Sequence, residues 1–514
     1  MLWDGRDLTR REVLRAGTGA ALGLCLPSVL AERAAAAAAP GGRARLGSRR
    51  RRALEQLARQ LHGRLLHPGE PGYAAATQPA NTRFDRVRPL AAALCADEHD
   101  VAACVAWARQ HRIDAVARTG GHSYAGYSTT TGLVIDLGNL KEVHIDASGR
   151  ATIGGGAVNR DVFDATVGGN FLLPAGTCLG VGVGGLTLGG GIGYNSHWAG
   201  LTCDHLLGSR LVSAAGELLH LDASHHSDLL WACRGGAGGN FGINTSFTFE
   251  LQRVPMRNVS FYRFDYRGAE DAVAVLSAFD RLLAGAPEAL NAVAMSQAVE
   301  VGPGGPREAI ATFSRGQYLG PLHELVELVK PLLEAATPVA TTLQTLSFWE
   351  MQAMLDGAEA EPHAFGDISR YAAAPLPEKA IAKVVDLLSE CPSRDANDNG
   401  SVWSLGWIGG AVNAIDRQAS AYVHRNMHTL WRATPVWETN GPAAVERDLV
   451  AWSRAVIDAI APYAANESYQ NFPNRGIADW QQQYYAENLG RLIDVKARYD
   501  PHNVFHNHQS IPTA

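Results

Sequence analysis

Two residues of this chain combine a reactive side chain with a glycine-dense turn. His122 directly follows Gly120-Gly121, and Cys178 sits inside the run from Gly176 to Gly193. Two further clusters lie at Gly154–Gly156 and Gly235–Gly242. Glycine lets a backbone turn tightly and approach a ligand closely. Consecutive N–H groups in such turns cradle phosphate oxygens. None of the four clusters matches a Walker pattern, and Gly189–Gly193 opens no Rossmann-type helix. Loops from several strands wrapped around one pyrophosphate fit better. That is the chemistry of a dinucleotide, and of FAD more than NAD. Alone, a histidine in a turn is a hydrogen-bonded turn residue, and a single cysteine is a small buried thiol. Their shared setting in phosphate-loop candidates singles them out.

The elements that must position these turns read from periodicity. Asp100–His111 has helical spacing, with Val101, Cys104, Val105 and Ala108 on one face. Strands are expected at Ile113–Ala117, Leu133–Leu137, Ala151–Ile153, Leu211–Ser213, Gly216–Leu221 and Phe247–Arg253. From about Val254 to Pro462 longer amphipathic helices, such as Ala269–Ala284 and Pro321–Lys330, alternate with strand-like runs at Ala309–Ser314 and Val402–Ile408. This reads as an inserted α+β lobe. A tail helix is expected around Tyr484–Tyr499, stopped by Asp500-Pro501.

Composition narrows the function classes. The 514 residues carry 45 Lys+Arg against 51 Asp+Glu, for a net charge of −6. This is an ordinary globular balance that argues against a nucleic-acid partner, whose binding rests on neutralising phosphates. Arg10-Arg11, an apolar stretch from Ala16 to about Ala31 and the small residues Ala34–Ala39 follow the order of a twin-arginine signal peptide, taken as residues 1–40. The mature chain is therefore expected to be exported, to the periplasm or beyond, with no stable membrane anchor. Six of the seven cysteines lie beyond that signal and would suffice for three bridges. None has C-x-x-C spacing, and no metal site is expected, the tail residues His502, His506 and His508 included.

The motifs Arg118-Thr-Gly-Gly-His122-Ser-Tyr-Ala-Gly126, Pro174-Ala-Gly-Thr-Cys178-Leu-Gly-Val181-Gly-Val-Gly-Gly185, Leu188–Gly193, Asp228–Gly242 and Tyr499–Phe505 resemble those of the berberine bridge enzyme-like oxidoreductases. These belong to the vanillyl-alcohol-oxidase-type flavoprotein superfamily. The matches run in family order from about residue 80 to the C-terminus. The resemblance implies an α+β, two-lobe FAD-binding fold of the PCMH type. Residues 50–255 would form the flavin domain, 256–462 an inserted substrate lobe of antiparallel sheet and helices, and 463–514 a segment completing the flavin domain and active site.

The resemblance also implies bicovalent FAD, with His122 bonded to the 8-methyl carbon and Cys178 to C6. The surrounding cofactor contacts would be Arg118, Thr119, Gly120, Gly121, Ser123, Gly126, Val181, Gly182, Gly184, Gly185, Gly190, Gly193, Asn240, Gly242 and Asn471. Val181 resembles the small residue that leaves oxygen access to the flavin. Tyr469-Gln-Asn471-Phe472 resembles the family's Tyr-x-Asn-aromatic strand. Tyr469 is thus the first candidate for catalytic base, with Tyr124 and Asn471 beside it. A tyrosine titrates near 10 and needs a neighbouring cation, tyrosine or flavin to serve as a base. Two positions depart from family patterns. Ile192 stands where plant members carry a catalytic Tyr, and Trp403–Gly410 holds no carboxylate where some members carry an acidic base.

The expected function is oxidation of a hydroxyl-bearing small molecule, such as a sugar, glycosylated metabolite or secondary alcohol, with oxygen as acceptor and hydrogen peroxide as product. The alternatives are oxidative cyclisation of a natural product on the same flavin, or a non-redox role with structural FAD. Trp349, Trp403 and Trp407 are candidates for a sugar-stacking surface or for plain core.

Overall fold

The computed structural model describes residues 48–299, 309–355, 363–393 and 399–513. The expected signal segment and Cys25 lie outside the described residues. Three sheets carry the architecture. The first has strands in the order Arg64–Leu66, Ala91–Leu94, Leu133–Asp136, Ala115–Arg118, and the last three run parallel. The helix Glu98–His111 links Ala91–Leu94 to Ala115–Arg118 and buries Val101, Cys104, Val105 and Ala108. It begins two residues before the apolar periodicity does. The Asp97 carboxylate caps it, accepting from the N–H groups of His99 (3.0 Å) and Asp100 (3.1 Å).

The second sheet is antiparallel, in the order Val143–Ile145, Arg150–Gly154, Ile243–Glu250, Leu206–Val212, Leu218–Leu221. The third is an eight-stranded sheet whose main path runs Ala340–Ser347, Asn258–Arg267, Ala309–Tyr318, Leu290–Val299, Asn399–Gly406, Thr429–Trp437, Ala364–Phe365. Ile368–Ala372 also pairs with Thr429–Trp437. Its strands alternate, as side chains in a pleated strand must. Tyr262, Phe264 and Tyr266 pack with the helices Ala269–Ala284, Leu322–Ala335, Glu378–Ser389 and Ala443–Ile460. Phe261, Phe313, Met295, Trp403 and Leu405 cover the other face, in one cluster with Ile192, Tyr422 and Tyr469.

Several boundaries differ from the sequence reading. The helix expected at Pro321–Lys330 continues through Pro331 to Ala335. The single tail helix is two, Trp480–Tyr485 and Leu489–Tyr499, broken at Ala486, whose φ is 39°. Three bridges are arithmetically open to the sequence, yet none of Cys95, Cys104, Cys178, Cys203, Cys233 and Cys391 is in a disulfide. No helix among the described residues is long and apolar enough to cross a membrane.

Two glycine loops meet backbone to backbone. A Cβ on Gly120 would lie 2.3 Å from the Gly180 carbonyl oxygen and 2.7 Å from the Gly182 nitrogen. A Cβ on Gly182 would lie 2.6 Å from Thr119 Cβ. No side chain fits between them. Gly120→Ala is therefore expected to cost roughly 1–3 kcal/mol through overpacking. Gly185→Ala, with nothing within 4 Å of the new methyl, should retain wild-type folding stability. Denaturant unfolding of the two variants checks this.

Candidate active site

The meeting of those loops brings His122 and Cys178 to one cleft. His122 comes from the turn after Ala115–Arg118. Cys178 comes from the loop before the short helix Val183–Leu188. The cleft has a volume of about 290 Å³, at the lower end of the few hundred to thousand Å³ that holds a drug-sized ligand. Its walls come from the turns at 119–124 and 176–188, from Ala237–Gly239, from Tyr469–Pro473 and from Phe505–Asn507. Leu405, Trp407 and Arg432 close it from the large sheet.

His122 Nε2 is buried and has no hydrogen-bond partner. Burial, with the nearby Arg118 charge adding to it, pushes the imidazole down from 6.5 to about 4. The ring is neutral at pH 7 and keeps a lone pair. Cys178 is half-buried, and its carbonyl accepts from Asn159 Nδ2 (2.9 Å) and the Val181 N–H (3.2 Å), which fixes the loop that carries the thiol.

Tyr469 is buried, and its hydroxyl oxygen accepts from the N–H of Gly191 (2.9 Å), the N–H of Ile192 (3.2 Å) and Asn471 Nδ2 (3.2 Å). Asn471 Nδ2 also donates to the Leu186 carbonyl (2.9 Å), which sets the orientation of its amide. The three donors favour the ionised phenol. Burial outweighs them, and the hydroxyl stands at about 12. Tyr124 stacks on Phe472 (centroids 5.2 Å, 14°) and meets Phe365 edge-on at 4.8 Å. Burial raises its hydroxyl, while the Arg432 charge pulls the other way.

Of the sequence candidates, Thr119, Gly120, Gly121, His122, Ser123, Tyr124, Cys178, Val181, Gly182, Gly184, Gly185, Gly242, Tyr469 and Asn471 line the cleft. Arg118, Gly126, Gly190, Gly193 and Asn240 do not. Arg118 Nη1 donates to the Ala76 carbonyl at 2.8 Å. Gly126 lies against Phe84, Gly190 against Tyr422, and Gly193 against the Ala175 carbonyl. Asn240 Oδ1 accepts from the Ile511 N–H (3.0 Å), and its carbonyl accepts from buried Lys496 (2.7 Å), which also pairs with Asp500 at 2.7 Å. These residues shape the loops from behind. Of the three tryptophans, Trp407 lines the cleft. Trp349 and Trp403 are core, their indole N–H groups donating to the Gly169 carbonyl (3.1 Å) and to Ser401 Oγ (3.0 Å).

Sequence reasoning missed Arg432. It is 4 % exposed, donates through Nε and Nη2 to Asp367 Oδ2, and stacks over Phe472 at 4.3 Å. Burial lifts Asp367 to about 6 against the lowering pull of that guanidinium. The signal was a charged residue in the otherwise uncharged run Thr429–Trp437, on the face it shares with Leu430 and Thr434.

The family-model comparison matches residues 89–222 to the FAD binding domain and residues 468–512 to the berberine and berberine-like domain. The chain is 32 % identical over 460 residues to the uncharacterized FAD-linked oxidoreductase YgaK of Bacillus subtilis, covering 88 % of this chain and 97 % of that one. The chain belongs to the berberine bridge enzyme-like FAD-linked oxidoreductases. It is 29 % identical over 463 residues to glucooligosaccharide oxidase of Sarocladium strictum, covering 84 % and 88 %. The solved structure of BBE-like 1 from Physcomitrella patens superposes with a TM-score of 0.77 at 26 % identity, covering 90 % of this chain and 99 % of that one. The cleft suits FAD on its own evidence. Side-chain-free glycines from several loops line it, no Asp or Glu among the described residues opposes a pyrophosphate, and one buried imidazole nitrogen has no hydrogen-bond partner.

Tyr469→Phe removes the acceptor of two buried backbone N–H groups, at roughly 1–3 kcal/mol for each left unsatisfied. Denaturant unfolding should show that loss. In flavin-free protein His122 takes up its proton far below its usual 6.5. Between those values the unfolded chain binds the extra proton. Its contribution is thus fully present above about 6.5 and is lost as pH falls toward about 4. His122→Gln should flatten the acid limb of a stability–pH curve.

Proposed function

We propose that this protein is an exported, bicovalently flavinylated oxidase of a hydroxyl-bearing small molecule, such as a sugar, a glycosylated metabolite or a secondary alcohol. One observation carries the reading: an unpartnered buried His122 Nε2 and the Cys178 thiol open into a single cleft beside two buried tyrosines. Glucooligosaccharide oxidase, by its name an oxidase of sugars, supports the substrate class. The twin-arginine pattern supports export.

Bound FAD would supply the hydride acceptor for the substrate carbon, with oxygen as the final electron acceptor and hydrogen peroxide as product. The protein supplies the rest. His122 and Cys178 would hold the benzenoid edge of the cofactor, and the loops at Gly120 and Gly182 would cradle it. Tyr469 receives the substrate hydroxyl proton, its oxygen polarised by three N–H donors. Tyr124 lies beside Arg432, whose charge opposes but does not overcome the burial that holds Tyr124 as the phenol. Val181 lines the cleft without filling it, which is consistent with oxygen access.

Acid precipitation tests the attachment. The yellow chromophore should stay in the wild-type pellet, and should pass to the supernatant only when His122→Ala and Cys178→Ala are combined. In flavinylated Tyr469→Phe, substrate-driven bleaching should slow by about 10²–10⁴, the range expected for loss of a general base. Bleaching at the wild-type rate would remove Tyr469 from that role.

A further inference from the structure

One face of the large sheet carries Arg263, Arg315 and Arg432 together with Asp265, and of these Arg432 lines the cleft. Strand register sets Phe313, Met295, Trp403, Arg432 and Ser369 in one cross-strand row. The adjacent row begins with Arg263 and Arg315, which stand directly opposite each other. Like charges so placed repel and are ordinarily avoided. Arg263 is relieved by Asp265 at 2.8 Å. Arg315 is 3 % exposed and has no carboxylate partner among the described ion pairs. Its Nη2 donates to the Tyr194 hydroxyl, and its Nε has no partner. Tyr194 in turn packs edge-on against Trp407 at 4.6 Å.

Among the described residues no Asp or Glu lines the cleft wall, and Arg432 is its one Lys or Arg. Asp367 occupies the Nε and Nη2 edge of that guanidinium without lining the cleft. Trp407 lines the cleft too, and its indole N–H is buried without an acceptor. Indole N–H and guanidinium are donors only. A hydroxyl both donates and accepts, whereas an ionised carboxylate only accepts. Arg432 and the Trp407 indole are therefore two donor-only groups on a wall that otherwise carries hydroxyls and amides such as Tyr124, Tyr469 and Asn471, and as a pair they match a carboxylate better than another hydroxyl.

We infer that the substrate of this enzyme is an anionic, carboxylate-bearing hydroxy compound, such as a uronate-containing sugar, whose carboxylate is recognised by Arg432 and the Trp407 indole N–H. The inference rests on the oxidase reading above and sharpens it. Arg432 is here a specificity-determining residue rather than a proton carrier. Bidentate or charge-assisted contact to a carboxylate is among the stronger recognition elements available to a protein.

The test uses the flavinylated protein with two matched probes, cellobiose and cellobiouronic acid. Binding is read anaerobically from perturbation of the flavin spectrum, and reduction from its bleaching. The acid should bind at least about tenfold more tightly than the neutral sugar, as one charge-assisted contact warrants. That preference should shrink as salt is raised. It should also disappear in the Arg432→Gln, Asp367→Asn double variant, which removes both buried charges together. Arg432→Lys should retain part of it. Trp407→Phe, which keeps the ring and loses the donor, should lower it several-fold. Equal binding of the two sugars overturns the inference. So does a double variant that shifts the flavin potential and leaves the binding ratio unchanged, since Arg432 would then serve the cofactor. Bleaching is scored separately. Preferential binding of the acid without bleaching by either sugar sustains the anionic preference and sinks the reading as a sugar oxidase.

Discussion

The backbone contact between the turn at Gly120 and the turn at Gly182 governs this molecule. The first turn ends a parallel βαβ unit, and the second begins the short helix Val183–Leu188. Where they touch, there is no room for a Cβ on either side. That close approach makes His122 and Cys178, 56 positions apart in the chain, neighbours on one wall. Every other part of the site is built outward from it.

Behind that contact the protein uses buried polar ties instead of more apolar bulk. Lys496 holds the Gly235–Gly242 loop through the Asn240 carbonyl and is neutralised by Asp500. Buried Arg425 pairs with Asp204, whose side chain is 6 % exposed, and so ties the segment before Thr429–Trp437 to the turn Thr202–His205. Losing one partner of such a pair leaves an uncompensated buried charge, which is far costlier than losing a surface bridge. The loops can therefore stay glycine-rich where a ligand lies and still hold one conformation.

The site is divided by chemistry. The flavin-domain side contributes glycines, a neutral imidazole, a thiol and backbone donors. The large sheet contributes Leu405 and Arg432, with Trp407 just beyond Asn399–Gly406, and the C-terminal segment adds Tyr469 and Phe472. Tyr469 belongs to the sheet's core cluster through Tyr422, yet its hydroxyl is held by the N–H groups of Gly191 and Ile192. It is a joint between the two sides, so the packing of one lobe sets the electrostatics of the other.

Much was legible in the chain alone. The helix Ala269–Ala284 agrees residue for residue with its apolar period, because one helical face buried against a sheet leaves a 3.6-residue signature. Glycine density marked the cleft loops, because only glycine tolerates such close approach. Those signals are local. Arg118, Gly126, Gly190, Gly193 and Asn240 share the motifs yet face away from the cleft, since a motif records which residues a loop needs and not which side of it each one faces. Arg432 carried no motif, and Trp407 was legible only as a stacking or core candidate. They reach the cleft only because antiparallel pairing aligns strands distant in sequence, and pairing partners are chosen by the burial of whole sheet faces. The residue types near the cofactor were thus determined by local backbone requirements. The charge of the substrate wall was decided by tertiary structure, through long-range strand register that no short stretch of sequence encodes.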